Sequence, residues 1–315
     1  MAHTKKLFCS ALYCRASGSQ KQGELEHMNY QQPRVCVLPY RQKLGMIPSR
    51  MPLSDLHWPL GVPPRIEGQT LADLLPTDHL LTLPHKSLYL RPSFGTRARV
   101  SVMILEPRTI HRQHMALTNL FHRRFHRVLT SDSLLLAQVP NSVLFPCGGT
   151  WVPEWQEIDM TKHAMCSLIA SSKKKQSGHK LRHDLVRWSH ETGQAIDVMG
   201  RGYKPFAKKS EGLAPFRYSI VIENTREKGY FTEKLIDALL CNTVPIYWGC
   251  PNIADFFDPK AMMVCQDMTD IQCAIKNMSE SDYVSRLPAL TAARDVAVGY
   301  MDFYERAAKT LLESD

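Results

Sequence analysis

Short continuous apolar runs alternate with helix-length segments in both halves of this chain, and that rhythm confines the fold to parallel sheets with helices on their faces. In the first half the runs are RVCVLPY at 34–40, HLLTLP at 79–84, RVSVMILEP at 99–107, HRVLTSD at 126–132 and SVLFPCGG at 142–149. Helices are predicted from about His114 to Phe125 and over SLLLAQV at 133–139. The stretch 41–75 is rich in proline (Pro48, Pro52, Pro59, Pro63, Pro64) and reads as loop. In the second half AMCSLIAS at 164–171, AIDVMG at 195–200, YSIVIEN at 218–224, TVPIYWG at 243–249 and MMVCQ at 262–266 read as strands. LRHDLVRWSHE at 181–191, TEKLIDALL at 232–240 and the tail read as helices, with SKKKQSGHK at 172–180 as a basic loop.

GGTWVPEWQ at 148–156 interrupts the rhythm and reads as a crossover between two doubly wound halves. The expected organisation is a disordered leader over 1–33, one domain over 34–155 and a second over 156–315. Ligands of such sheets bind beyond the carboxyl ends of the strands, so the site belongs in a cleft between the halves.

No stretch approaches the roughly 18 apolar residues that a membrane helix needs. The opening MAHTKKLFCSALYCRASGSQ is too interrupted for a signal peptide. Nine cysteines without a CxxC pair suit free thiols in a reducing compartment. A formal charge of +9 implies an anionic partner, which composition leaves open among nucleic acid, an acidic membrane surface and a phosphorylated substrate.

The segment 218–253, YSIVIENTREKGYFTEKLIDALLCNTVPIYWGCPNI, carries the most chemistry. A buried strand delivers Glu223 and Asn224 at its carboxyl end, and a helix opens after Thr232, a good N-cap residue. Free amides at that helix start favour a phosphate, Lys234 adds a full charge, and the Glu233 carboxylate can accept bonds from sugar or ribose hydroxyls.

IENTREKGYFTEK followed by TVPIYWG resembles the signature of the α-1,3-fucosyltransferases of glycosyltransferase family 10, bacterial members above all. The resemblance implies a GT-B-like α/β fold of two Rossmann-type doubly wound domains facing a cleft, and an inverting transfer from GDP-fucose to a glycan hydroxyl. It implies that Asn224, Tyr230, Glu233 and Lys234 contact the donor, with Lys234 on the diphosphate. It also implies an arginine at the start of the preceding helix, which Arg182 matches better than Arg187; a guanidinium there can fork onto phosphate oxygens. VMILEPRTIH matches a Glu-x-Pro-type turn and makes Glu106, expected as a buried and perturbed carboxylate, the general base.

FPCGGTWVP extends the match, which runs over about 99–310; residues 1–98 match poorly. Phe231 and Cys250 depart from the family pattern away from the implied chemistry. The implied enzyme needs no metal or cofactor beyond its donor, touches no nucleic acid, and sits in the cytoplasm or against the inner membrane through basic residues. Its acceptor would be a lipopolysaccharide-type or other surface glycan. The alternatives are a related transferase using another nucleotide sugar, or a catalytically silent nucleotide-sugar or glycan binder.

HRRFH, with His122 and His126 four apart, lacks the glutamate of a zinc-binding helix. GRGYKP at 200–205 lacks a third glycine and reads as a turn near the donor. The basic runs Lys173–Lys175 and Arg123, Arg124 and Arg127 lack interleaved aromatics for stacking bases and read as a solvated face or a field for the diphosphate.

Overall fold

A computed structural model describes residues 33–64 and 66–314; the leader expected over 1–33 lies outside them apart from Pro33. The first half contains β1 (Val35–Val37), β2 (His79–Thr82), α1 (Lys86–Leu90), β3 (Arg99–Ile104), α2 (Arg108–Phe121), β4 (Val128–Thr130), α3 (Ser133–Gln138) and β5 (Ser142–Leu144). Its five strands pair in parallel in the order β1-β2-β3-β4-β5. Among its described residues the proline-rich stretch holds only 3-10 turns, at Pro48–Arg50, Leu53–Asp55 and Leu71–Asp73.

Helix α2 begins six residues before its expected start, because Pro107 stands at its N-cap and its first turn, RTIH, is too polar to show the apolar period. The backbone leaves helical values at His111 inside it.

The second half contains β6 (Ala164–Ile169), α4 (Ser177–Thr192), β7 (Asp197–Met199), β8 (Phe216–Ile222), α5 (Glu233–Leu240), β9 (Val244–Trp248), β10 (Met263–Val264), α6 (Met268–Asn277), α7 (Glu280–Val298) and α8 (Phe303–Glu313). These five strands are also parallel, in the order β10-β9-β8-β6-β7. Chain order therefore reverses between β6 and β8, and a ligand crevice opens at such a reversal, outside the strands' carboxyl ends. Helix α4 takes in residues expected in the basic loop, since Gln176 and His179 cap its start reciprocally. The fold is the expected α/β arrangement of two parallel sheets with helices on their faces.

Period-two alternation splits the first sheet between two cores. Cys36, Leu80, Val102 and Val128 face α2 and α3, packing with Met115 and Leu135. Val35, Val37, Leu81, Met103 and Leu129 face the other way and are covered by Ala307, Ala308 and Leu311 of α8. The last helix of the chain thus completes the first half rather than the second. The crossover is stitched by Gly148 N to Phe231 O (3.2 Å) and Gly149 N to Tyr300 O (2.8 Å). Arg306 of α8 donates to Pro146 O (2.6 Å) and Cys147 O (2.7 Å). Among the described residues no helix is long and apolar enough to cross a membrane.

Leu311 is fully buried against the first sheet. Leu311→Ala is expected to destabilise the protein by about 2–5 kcal/mol in urea unfolding, through lost burial and a cavity. A cost near zero would show that α8 is not part of this core.

Candidate active site

Strand β8 is buried apart from Arg217 and stops where Glu223 N donates to Trp248 O at 2.8 Å. The Glu223 side chain has no exposure. Its two oxygens accept from Thr232 N (2.8 Å) and Thr232 Oγ1 (2.7 Å), which fixes the N-cap of α5 against the end of β8. Two glycines leave room for this. A Cβ on Gly178 would stand 1.8 Å from Glu223 O, and one on Gly249 would stand 2.6 Å from Glu223 Cγ. The first turn of α4 thereby lies directly against the end of β8, with Gly178 N donating to Asn224 O (3.1 Å).

Lys234, in the first turn of α5, donates to Thr232 Oγ1 (3.0 Å) and Glu233 Oε1 (3.1 Å) and lies 3.6 Å from Glu223 Oε2. Burial opposes its charge, but Glu233 and Glu223 overcome that and raise its pKa. Burial likewise opposes the charge of Glu233, yet Lys234 and Lys209 hold its carboxyl down at about 2. Arg182 of α4 is buried, and its guanidinium donates to Ile222 O through Nε (3.1 Å) and one Nη. Burial lowers its pKa from a very high value, so it remains a cation. The phenol of Tyr230 is pushed far up, by burial first and then by Glu223, and stays protonated as a donor.

Glu106 follows β3 in the first half and stands at the cleft from the opposite side. The expectation that it is buried is corrected: the strand ends at Ile104, and the chain runs out past the sheet so that Glu106 is exposed to the cleft. The surrounding walls still exclude enough water for burial to raise its pKa, against the pull of Lys234.

One cleft of about 1130 Å³ is lined by Glu106, Arg182, Asn224, Tyr230, Glu233 and Lys234 together. These six residues are therefore brought to one place. The competing Arg187 is exposed and pairs with Asp184 at 2.6 Å. Phe231 packs in an aromatic cluster with Phe256 and Tyr300, ring centroids 5.1 Å apart in each pair, outside the cleft lining.

Sequence reasoning gave no role to Lys209, Trp151 or the anchoring carboxylates. Lys209 Nζ lies 2.7 Å from Asp237 Oδ2 and 5.6 Å from the Trp151 ring centroid. Asp237 Oδ1 accepts from Thr150 Oγ1 (2.6 Å) and Trp151 N (3.0 Å), tying the crossover to α5. A Lys and an Asp 28 positions apart carry no local signal of pairing.

Residues 159–284 match the model of glycosyltransferase family 10 (fucosyltransferase) C-term. Those residues are thus similar to the C-terminal part of the family 10 fucosyltransferases. The matched span contains Arg182, Asn224, Tyr230, Glu233 and Lys234 and excludes Glu106. The α-(1,3)-fucosyltransferase FucT of Helicobacter pylori is 31% identical over 156 residues, 49% of this chain and 30% of that protein. The chain thus aligns to under a third of that relative's length. A putative fucosyltransferase-like protein of Arabidopsis thaliana is 33% identical over 82 residues, 26% of this chain and 15% of that protein. The crystal structure of TarM superposes with a TM-score of 0.52 at 12% identity, covering 75% of this chain and 54% of that one, a likeness of fold. The two-sheet architecture is of the GT-B type.

Two tests follow from this geometry. Gly178→Ala forces a methyl into the Glu223 carbonyl, so the midpoint of thermal unfolding is expected to fall; an unchanged midpoint would refute the close approach. Glu233, held at about 2 against an ordinary 4.5, contributes stability that is fully present above about pH 4.5 and is lost as pH falls towards 2. Glu233→Gln should flatten the stability profile in that window, measured by denaturant unfolding, and an unaltered profile would rule the linkage out.

Proposed function

We propose that this chain is an inverting glycosyltransferase that moves fucose from GDP-fucose to a hydroxyl of a glycan acceptor. The observation that carries the reading is the opposition of Glu106, on one wall of the cleft, to Arg182 and Lys234 on the other. Inverting transfer needs a base on the acceptor side and fixed positive charge on the leaving-group side.

In this scheme the diphosphate lies against Arg182 and Lys234. Asn224, Tyr230 and Glu233 bond hydroxyls and polar groups of the nucleotide sugar. The acceptor oxygen attacks the anomeric carbon from the face opposite the diphosphate, and Glu106 takes its proton. The bond from the anomeric carbon to the phosphate oxygen breaks through an oxocarbenium-like state, and GDP departs with the bonding pair. Charge grows on the departing diphosphate as that bond stretches, so cations already in place stabilise the transition state more than the ground state. The carbonyl of Ile222 holds Arg182, and Glu223 with Glu233 holds Lys234, which removes the cost of reorienting them during reaction. The scheme calls for no cofactor beyond the donor.

Release of GDP from GDP-fucose in the presence of N-acetyllactosamine-type and lipopolysaccharide acceptors tests the reading. Lys234→Ala is expected to weaken GDP binding and to abolish turnover. Glu106→Gln should leave GDP binding intact and lower kcat by about 10²–10⁴. Because Glu106 acts ionised and its pKa is raised, the rate should fall as pH drops through a value above the usual carboxylate range, and Glu106→Gln should lose that acid limb. Absence of both GDP binding and GDP release would sink the assignment.

A further inference from the structure

The charges in the cleft are not distributed as its motif implies. On its inner wall three cations, Arg182, Lys209 and Lys234, meet three carboxylates, Glu233 in the lining and Glu223 and Asp237 fully buried behind it. Lys209 pairs with Asp237 (2.7 Å), Lys234 lies 3.1 Å from Glu233 and 3.6 Å from Glu223, and the fields of Glu223 and Glu233 also act on Arg182. These groups are shaped for phosphate oxygens, but together they carry no surplus charge to balance a diphosphate.

The surplus stands at the mouth. Lys173, Lys174 and Lys175 all line the cleft and are exposed, against the single carboxylate of Glu106. None of the three lysines makes a hydrogen bond or ion pair through its ammonium group among the described residues. The loop that bears them is built rather than loose. The carbonyl of Lys173 is bonded to His183 Nε2 (3.0 Å), whose Nδ1 meets Tyr203 Oη (2.7 Å). Behind it lies the GRGY turn. Gly200 (φ +114°) approaches so closely that a Cβ would stand 2.2 Å from Ala170 O, and Gly202 (φ +98°) lies against Ser172. Both glycines hold backbone conformations that other residues rarely adopt. The loop leads from β6 into α4, at the reversal of strand order where a ligand is expected.

We infer that Lys173, Lys174 and Lys175 supply the net positive charge that binds the donor's diphosphate, while Arg182 and Lys234 orient it. This rests on the nucleotide-sugar reading of the cleft and adds a binding element outside the motif. Exposed ammonium groups act through a screened field, so their contribution is salt-sensitive, whereas the buried contacts are screened less.

The test is calorimetric binding of GDP and of inorganic pyrophosphate to the full chain and to the triple variant Lys173→Gln, Lys174→Gln, Lys175→Gln. At low salt the variant is expected to bind both at least about tenfold more weakly, a change of about 1.4 kcal/mol. The gap should close towards about 0.5 M salt, with the thermal midpoint unchanged because the substituted side chains are exposed. Binding of either probe within about twofold of wild type overturns the inference. So does an unchanged GDP affinity with a raised KM for the acceptor, which would move the loop to the acceptor side. Lysine-dependent binding of pyrophosphate without any binding of GDP supports the loop's role and defeats the donor assignment. Failure of wild type to bind either probe defeats both.

Discussion

The buried carboxylate of Glu223 organises the wall of the cleft that bears Arg182 and Lys234. A charge without access to water must be paired and hydrogen-bonded, and Glu223 has no exposure. Thr232 supplies two short bonds and Lys234 an ion pair, all from the start of α5. Meeting the needs of one side chain therefore fixes the end of β8 to the beginning of α5. Through Lys234 it also sets where a leaving group's charge can be met. The same constraint explains two glycines: a side chain at Gly249 would collide with Glu223 itself, and one at Gly178 with its carbonyl, displacing the helix that carries Arg182.

Compensation by carboxylates has a chemical consequence. Uncompensated cations packed together would repel one another and lose protons to desolvation. Glu223 and Glu233 hold Lys234 charged, and Asp237 holds Lys209 in place. Such a site is preorganised, at the cost of weaker net attraction for an anion. Affinity must then come from groups outside the compensated cluster, and the lysines of the β6–α4 loop occupy that position. On that reading net charge comes from the β6–α4 loop, and orientation from α4 and α5 together, one on each side of the strand-order reversal.

The strand and helix rhythm was legible because buried parallel strands are continuous apolar runs, and both five-stranded sheets were foreshadowed on that ground. The start of α2 was not legible, since its first turn is polar and only Pro107 marks it. Nor was the destination of α8. Its burying face of Ala307, Ala308 and Leu311 reads as an ordinary amphipathic stripe, and nothing local says which sheet it covers. Asn224, Tyr230, Glu233 and Lys234 could be placed together because one strand, loop and helix present them in sequence. Glu106 could be located, but its exposure could not, because how far a strand outruns its sheet depends on the neighbours' register. Pairs such as Lys209 with Asp237 are joined only by the fold.

The return of α8 bears directly on the separation of base from cations. Glu106 belongs to the first sheet and Lys234 to the second, so the rigidity of the crossover determines whether both can meet one substrate. That crossover is held from three sides. Gly148 and Gly149 donate to the carbonyls of Phe231 and Tyr300, Thr150 and Trp151 to Asp237, and the carbonyls of Pro146 and Cys147 accept from Arg306. Asp237 lies on the same helix as Lys234, and Arg306 on the helix that covers the first sheet. The crossover is thus bonded both to the helix that bears Lys234 and to the helix that completes the half bearing Glu106. A reaction in which proton removal and bond cleavage occur on opposite faces of one carbon tolerates little error in that spacing. The crossover contacts are the part of the fold that sets it.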